Sequence, residues 1–214
     1  MTTLDYWTTD AMKSEVNVLQ CLTLEDASIG VILDRTLFHV QGGGQPSDVG
    51  FIGEARVLKV VRTEMGIVHL VDREVDEGTV TIVVDKELRL LHSRLHSAGH
   101  LIGASLEGMG WQATKGSHQP GQCRVIGVKT DENAAVPTKE AIEAKVNAWI
   151  ADQLECQVTQ VGGLREVTWG DLKAYPCGGT HVKNTCELKG IVIDSVKFKK
   201  GELRIAYQLT DTNG

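Results

Sequence analysis

The chain has 214 residues, 42% of them hydrophobic and 23% charged, with a formal net charge of −6. That length suits one large domain or two small ones, each with enough material for a core. No apolar run reaches the ~20 residues of a bilayer span, and the acidic balance argues against a general DNA or RNA binder while leaving room for a local basic face. Five cysteines (Cys21, Cys123, Cys156, Cys177 and Cys186) are odd in number and irregularly spaced. In a chain this long they favour burial or metal ligation over a disulfide scaffold. The start MTTLDYWTTDAMKSE has neither the basic nor the apolar stretch of a signal peptide, so the expectation is a soluble, cytoplasmic protein without membrane contact.

From residue 16 to 85 the segments VNVLQCLTL, IGVILDRTLFHV, ARVLKVVRT, GIVHLVD and GTVTIVVD are rich in Val, Ile, Leu and Thr. Gly and Asp punctuate them at the rhythm of short antiparallel strands, which suggests a small β-barrel or a sandwich. Within this region Gln41-Gly42-Gly43-Gly44-Gln45-Pro46-Ser47-Asp48 contains three successive glycines. These permit either a long hairpin turn or a close approach of backbone to a ligand; the Lys and Ser/Thr of a phosphate-binding P-loop are missing.

A helix is expected from about Lys86 to Met109. No Pro interrupts it, Leu88, Leu91, Leu95, Leu101, Ile102 and Leu106 recur largely at helical steps, Asp85 suits the N-cap, and Gly108 and Gly110 suit the stop. A second helix fits 138–153, and strands fit 122–129, 156–161, 191–198 and 203–209. The class is therefore α+β. A small antiparallel β-barrel at 1–85 precedes a mixed domain at 86–214, in which a long helix packs on an antiparallel sheet.

The chemistry concentrates in two pairs. His96 and His100 stand four apart in HSAGH, inside the first helix, so both side chains share one face. Two histidines that merely line a helix are the competing explanation, and His92 extends the stripe so that the pair could shift by a turn. Cys177 and His181 stand four apart in CGGTH, where two glycines allow a tight turn; alone, this could be a buried cysteine in a glycine turn. Together the pairs supply one thiolate and three imidazoles, a complete set for a first-row metal, with one Zn2+ per chain as the default. Near the C-terminus Lys197, Lys199, Lys200 and Arg204 form a basic cluster, and Lys86, Arg89 and Arg94 form another. Either group suits a solvated face; the first could also meet nucleic acid.

Taken in order, these motifs resemble the alanyl-tRNA editing family, which comprises the editing domain of alanyl-tRNA synthetase and its free-standing relatives. Thr36-Leu37-Phe38 followed by Gly42 to Asp48 and Gly50 is similar to T-x-F…GGGQPxDxG. Gly66-Ile67-Val68-His69 is similar to the family's short strand ending in His. Arg94 to Ile102 resembles R-x-H-T-A-x-H-L-L, and Cys177 to Val182 with Asn184-Thr185 resembles CGGTHVxNT. The resemblance runs from about residue 30 to near the end. HxxxH is weak alone, but in sequence with CGGTH and GGGQPxD it is highly specific. His39 stands where Tyr is common, and Cys186 replaces the usual Gly after the NT pair.

What the resemblance implies is a trans-acting, free-standing hydrolase of mischarged tRNA, chiefly seryl-tRNA(Ala) with glycyl-tRNA(Ala) a further substrate. It implies zinc on His96, His100, Cys177 and His181, and a catalytic role for His96, His100, Thr114 and Gln45. Gly43, Gly44 and Gln45 would lie over the site. Thr114 and Ser117 would read the serine hydroxyl, while Lys115 and His118 would meet the terminal adenosine or phosphates. Lys197, Lys199, Lys200 and Arg204 would contact the tRNA. Two other readings stay open: a zinc hydrolase of another small ester or amide, and a non-catalytic zinc-containing tRNA-binding module. The oligomeric state is not encoded in any feature of the sequence.

Overall fold

A computed structural model of the chain describes residues 1–162 and 164–210. The class is α+β, dominated by strands, and the chain divides into two compact units: Met1–Gly42 with Pro46–Leu91, and Gly43–Gln45 with His92–Gly214.

The first unit carries β1 (Thr3–Leu4), β2 (Lys13–Thr23), β3 (Ile29–Leu33), β4 (Arg35–Thr36), β5 (Gly50–Ile52), β6 (Ala55–Thr63), β7 (Gly66–Val71) and β8 (Gly78–Val84). Six of these, in the order β2-β3-β7-β6-β5-β8, are hydrogen-bonded neighbour to neighbour, and β8 pairs back to β2 to close the ring. All these pairings are antiparallel. Closure removes free edges, and alternation turns Val16, Val18, Val57, Ile82 and Val84 inward to a common core. The expected strand 29–40 stops early because Asp34 accepts from the backbone N–H of Asn17 and of Arg35, diverting the chain after Leu33. Within the core His69 is fully buried. Its Nδ1 lies 3.1 Å from the Val31 carbonyl and its Nε2 lies 2.8 Å from Thr36 Oγ1. A carbonyl only accepts, so Nδ1 carries the proton and Thr36 donates to Nε2.

The residues flanking Gly43–Gln45 are clamped. Gln41 N–H donates to the Val60 carbonyl and the Val60 N–H donates to Ser47 Oγ, both at 3.0 Å. Asp48, 1% exposed, accepts from the His39 N–H and forms a buried ion pair with Arg89, which also donates to the Leu37 carbonyl. Arg89 is therefore not part of a solvated basic face, as its grouping with Lys86 and Arg94 suggests. It is buried because an unpaired carboxylate at Asp48 would be costly to desolvate.

Helix α1 (Lys86–Glu107) begins where Asp85 Oδ1 accepts from the Leu88 N–H, the N-cap expected from the sequence. From His92 onward it belongs to the second unit. That unit contains β9 (Trp111–Ser117), β10 (Arg124–Lys129), α2 (Lys139–Ala151), β11 (Cys156–Val161), β12 (Leu164–Trp169), β13 (Tyr175–Pro176), β14 (Ile191–Lys199) and β15 (Glu202–Leu209). One antiparallel sheet runs β14-β15-β10-β9 and a smaller one β11-β12-β13. Helix α2 starts at Thr138, whose side chain accepts from the Ala141 N–H, and buries Ile142, Val146 and Ile150, spaced one turn apart. Its Asn147 side chain both donates to and accepts from the Ile191 backbone at 3.0 Å, which docks α2 on β14. Leu95, Ala98, Leu101, Ile102 and Leu106 of α1 are buried as well. Among the described residues no helix is long and apolar enough to cross a membrane.

Candidate metal centre

Helix α1 holds His96 and His100 one turn apart, with ring centroids separated by 4.9 Å. The loop after β13 delivers Cys177 and His181 to the same point. Potential ligand atoms of His96, His100, Cys177 and His181 all lie within 4.8 Å of one another. His92 is buried but outside this group, so the geometry selects the second and third histidines of the stripe.

Gly179 explains why CGGTH needs its glycines: a Cβ there would strike the His96 ring and Gln45 Oε1. Three further side chains tie the loop down. Arg165 Nη1 donates to the Cys177 carbonyl at 2.7 Å and the Gly179 carbonyl at 3.2 Å. Ser93 Oγ lies 2.7 Å from Thr180 Oγ1, and Ser97 Oγ accepts from the Val182 N–H at 3.1 Å. Ser93, Ser97 and Arg165 were not singled out from the sequence. The two serines lie at helical spacing beside His96 and His100, a periodicity that could have flagged them.

Gln45, 1% exposed, fixes the protonation of His96. Its Oε1 accepts the Thr180 N–H at 3.0 Å while its Nε2 donates to Thr180 Oγ1 at 2.8 Å, so the amide orientation is settled by a backbone donor. The same Oε1 lies 2.6 Å from His96 Nδ1. Nδ1 must therefore carry the proton, and the Nε2 lone pair is left for the Cys177 side, 3.6 Å from Sγ. All of Gln45's polar atoms are occupied within the protein, so its place is behind the ligand ring rather than on the cavity wall.

Burial pushes His100 down to about 4, aided by the nearby Arg165 guanidinium, so its imidazole is neutral at physiological pH. Burial raises the Cys177 thiol, against the opposing pull of the Gly179 backbone N–H and of Arg165. A metal binding here must displace that proton.

The ligand cluster opens on a cavity of about 210 Å³, whose walls include His96, His100 and Cys177 together with Thr114, Lys115 and His118. Gly43 also lines it, whereas Gly44, Gln45 and Ser117 are not among its described lining residues. Gly44 instead passes against β9, its carbonyl accepting the His118 N–H at 2.9 Å, and a Cβ there would collide with the Gly116 carbonyl. On β9 the pairing slips: Ile126 opposes Lys115 and Gly127 opposes Ala113. Thr114 is the extra residue of this bulge, a device that re-aims a side chain, and it is exposed toward the cavity.

Lys197, Lys199, Lys200 and Arg204 do come together, with Glu202, around a separate depression of about 530 Å³ on the β14–β15 hairpin. Lys197 and Arg204 are directly opposite in register, like charges that alone would cost stability; Glu202 offsets Arg204 through an ion pair at 2.9 Å.

The family model for the Threonyl and Alanyl tRNA synthetase second additional domain matches residues 164–205, which contain the CGGTH loop and the basic hairpin. The chain is 31% identical over 173 residues to alanyl-tRNA editing protein AlaX-M of Pyrococcus horikoshii, covering 77% of this chain and 79% of that protein. It is 30% identical over 219 aligned positions to AlaX-M of Methanosarcina barkeri, covering 85% and 89% respectively. Alanyl-tRNA editing protein Aarsd1 of Bos taurus is 30% identical over 200 residues, 83% of this chain but 45% of the relative, so the chain spans about half the length of that longer protein. With two relatives at 30% identity or more matched across most of their own length, the chain belongs to the alanyl-tRNA editing protein family.

Proposed function

We propose that the protein hydrolyses the ester of mischarged tRNA(Ala), chiefly seryl-tRNA(Ala) and also glycyl-tRNA(Ala), acting in trans in the cytoplasm. The observation that carries this reading is the convergence of four N/S ligands on an open cavity of about 210 Å³. A tetrahedral zinc with Zn–S of about 2.3 Å and Zn–N of about 2.0 Å separates sulfur from nitrogen by roughly 3.5 Å. Cys177 Sγ lies 3.6 Å from His96 Nε2 and 3.5 Å from His181 Nε2. Cys177, His96 and His181 therefore have the spacing of one Zn2+ per chain, and His100 offers a fourth ligand atom within 4.8 Å of the others.

When bound, zinc supplies a Lewis acid for the ester carbonyl or for water, or an anchor for the substrate amine. The chain's own residues do the positioning. Gln45 holds His96 in one tautomer, and Ser93, Ser97 and Arg165 fix the loop that carries Cys177 and His181. Thr114, aimed by its bulge, faces the aminoacyl side chain, with Ser117 further along the strand. Lys115, exposed at the cavity rim, meets the terminal nucleotide. The β14–β15 hairpin offers Lys197, Lys199 and Lys200, with Arg204 beside Glu202, to tRNA phosphates, and the closed six-stranded ring at 1–85 is read as a small β-barrel domain preceding the editing domain.

The need for such an enzyme is physical. A pocket for alanine rejects the nearly isosteric serine and the smaller glycine poorly, so a second site must sort them. A protein with four ligands could instead use zinc only to hold its loop. The Cys177→Ala variant separates the two: loss of seryl-tRNA(Ala) deacylation in a chain that keeps its circular dichroism and urea midpoint supports the catalytic reading, whereas undiminished deacylation by the metal-free variant contradicts it.

A further inference from the structure

On the cavity wall beside the ligand cluster stands a second histidine with an enforced tautomer. His118 is 5% exposed and its ring centroid lies 4.7 Å from that of His96, yet it is outside the four-residue ligand group. Its Nδ1 is 2.6 Å from Tyr207 Oη, and Tyr207 Oη is 2.8 Å from the Leu95 carbonyl. A carbonyl only accepts, so the phenol's single proton goes to Leu95, and the phenol must accept from His118. Burial holds the Tyr207 phenol well above its ordinary range, so that proton stays in place. His118 is thus an Nδ1–H tautomer, and its Nε2 is a lone-pair acceptor.

The ring cannot swing away. A Cβ at Gly44, Gly99 or Gly116 would crowd or collide with the His118 imidazole, so three glycines from a loop, α1 and β9 form a slot that fits the ring closely. Among the described residues Nε2 has no hydrogen-bond partner, and it is not among the sealed, unpaired polar atoms of the interior. Since His118 lines the cavity and Nδ1 points back into the protein, Nε2 faces the space where a ligand would sit.

We infer that His118 is a specificity-determining residue: its Nε2 accepts the hydroxyl proton of a seryl side chain as a hydrogen bond and is left without a partner when alanine occupies the cavity. This rests on the editing reading and extends it. Thr114 is exposed and its hydroxyl proton is already directed to the Ile126 carbonyl at 3.3 Å, so a missing substrate hydroxyl strands nothing there. A nearly buried imidazole acceptor is penalised when stranded, on the scale of about ten- to a hundredfold in binding. Tyr207 is a positioning residue that acts through the tautomer it imposes.

The test is calorimetric binding of two non-hydrolysable probes, 3′-(L-seryl)amino-3′-deoxyadenosine and its alanyl counterpart, to the zinc-loaded protein. The wild type should prefer the seryl probe about tenfold or more. His118→Phe, which keeps a planar ring but no acceptor, should bring the two affinities to about parity, through loss of seryl binding. Tyr207→Phe, which leaves the cavity wall intact but frees the tautomer, should reduce the preference, and His118→Gln, which keeps an acceptor, should retain part of it. An unchanged preference in both His118→Phe and Tyr207→Phe, an equal loss for both probes, or loss of zinc from His118→Phe each overturns the assignment. Failure of the editing reading itself would appear separately, as absence of wild-type deacylation of seryl-tRNA(Ala).

Discussion

Replacing Gln45 by Met removes the amide while keeping the side chain's length and most of its volume. The wild-type amide satisfies three groups: His96 Nδ1 at 2.6 Å, the Thr180 N–H at 3.0 Å and Thr180 Oγ1 at 2.8 Å. In the Met variant two buried donors, Nδ1–H and the Thr180 N–H, lose their acceptor. Each stranded donor costs about 1–3 kcal/mol, so the second unit should lose about 2–6 kcal/mol if neither recovers a partner. Loss of the acceptor also frees the His96 proton to move to Nε2, which removes a ligand lone pair. An outer partner of a metal-bound histidine is typically worth about 10- to 100-fold in metal affinity. Competition of the protein against a calibrated zinc chelator reads this directly. Gln45→Glu is the informative control, because a carboxylate still accepts from both Nδ1–H and the Thr180 N–H. Met should weaken zinc by at least about tenfold, and Glu should hold it near the wild-type value. Equal affinity for wild type and Met would refute the assignment of His96's tautomer to Gln45.

Gly179→Ala should cost about 1–3 kcal/mol through overpacking and lower the zinc content measured after dialysis, because its Cβ meets His96 and Gln45. Burial lowers His69 to about 4 from 6.5. The unfolded chain therefore takes up this proton first as pH falls, stability is complete above about 6.5, and it is lost between about 6.5 and 4, by about 3 kcal/mol in all. Urea titrations at several pH values should show that slope in the wild type and a flatter one in His69→Gln. Lys197→Gln combined with Lys199→Gln should make the salt dependence of tRNA binding shallower, by about 0.7–0.9 in the log–log slope for each cation that meets a phosphate; filter binding across a salt series measures it.

Features governed by local rules were legible in the sequence. Asp85 before a periodic leucine run marks the start of α1, and the Val and Ile rhythm of residues 16–85 marks the paired strands of the ring. Features governed by remote partners were not. Arg89 reads as a surface cation until Asp48, 41 positions away, is seen to bury it. Helical period alone could not choose between His92 and His100 as the partner of His96; the arrival of Cys177 and His181 does. Strand β9 escaped because it is an edge strand whose WQATKGS exposes most of its residues and carries a bulge, so no alternation survives. The three-residue β5 is too short to show any period. The resemblance puts Gln45 at the substrate, and local sequence carries no sign that its side chain bonds His96 and Thr180, 51 and 135 positions away.

The most direct measurement is a deacylation time course with purified, zinc-loaded protein on seryl-, glycyl- and alanyl-tRNA(Ala) side by side. Rapid release of serine, with alanine released slowly if at all, is the expected result. Equal rates for serine and alanine, or no release of serine by the zinc-loaded protein, would contradict the editing function.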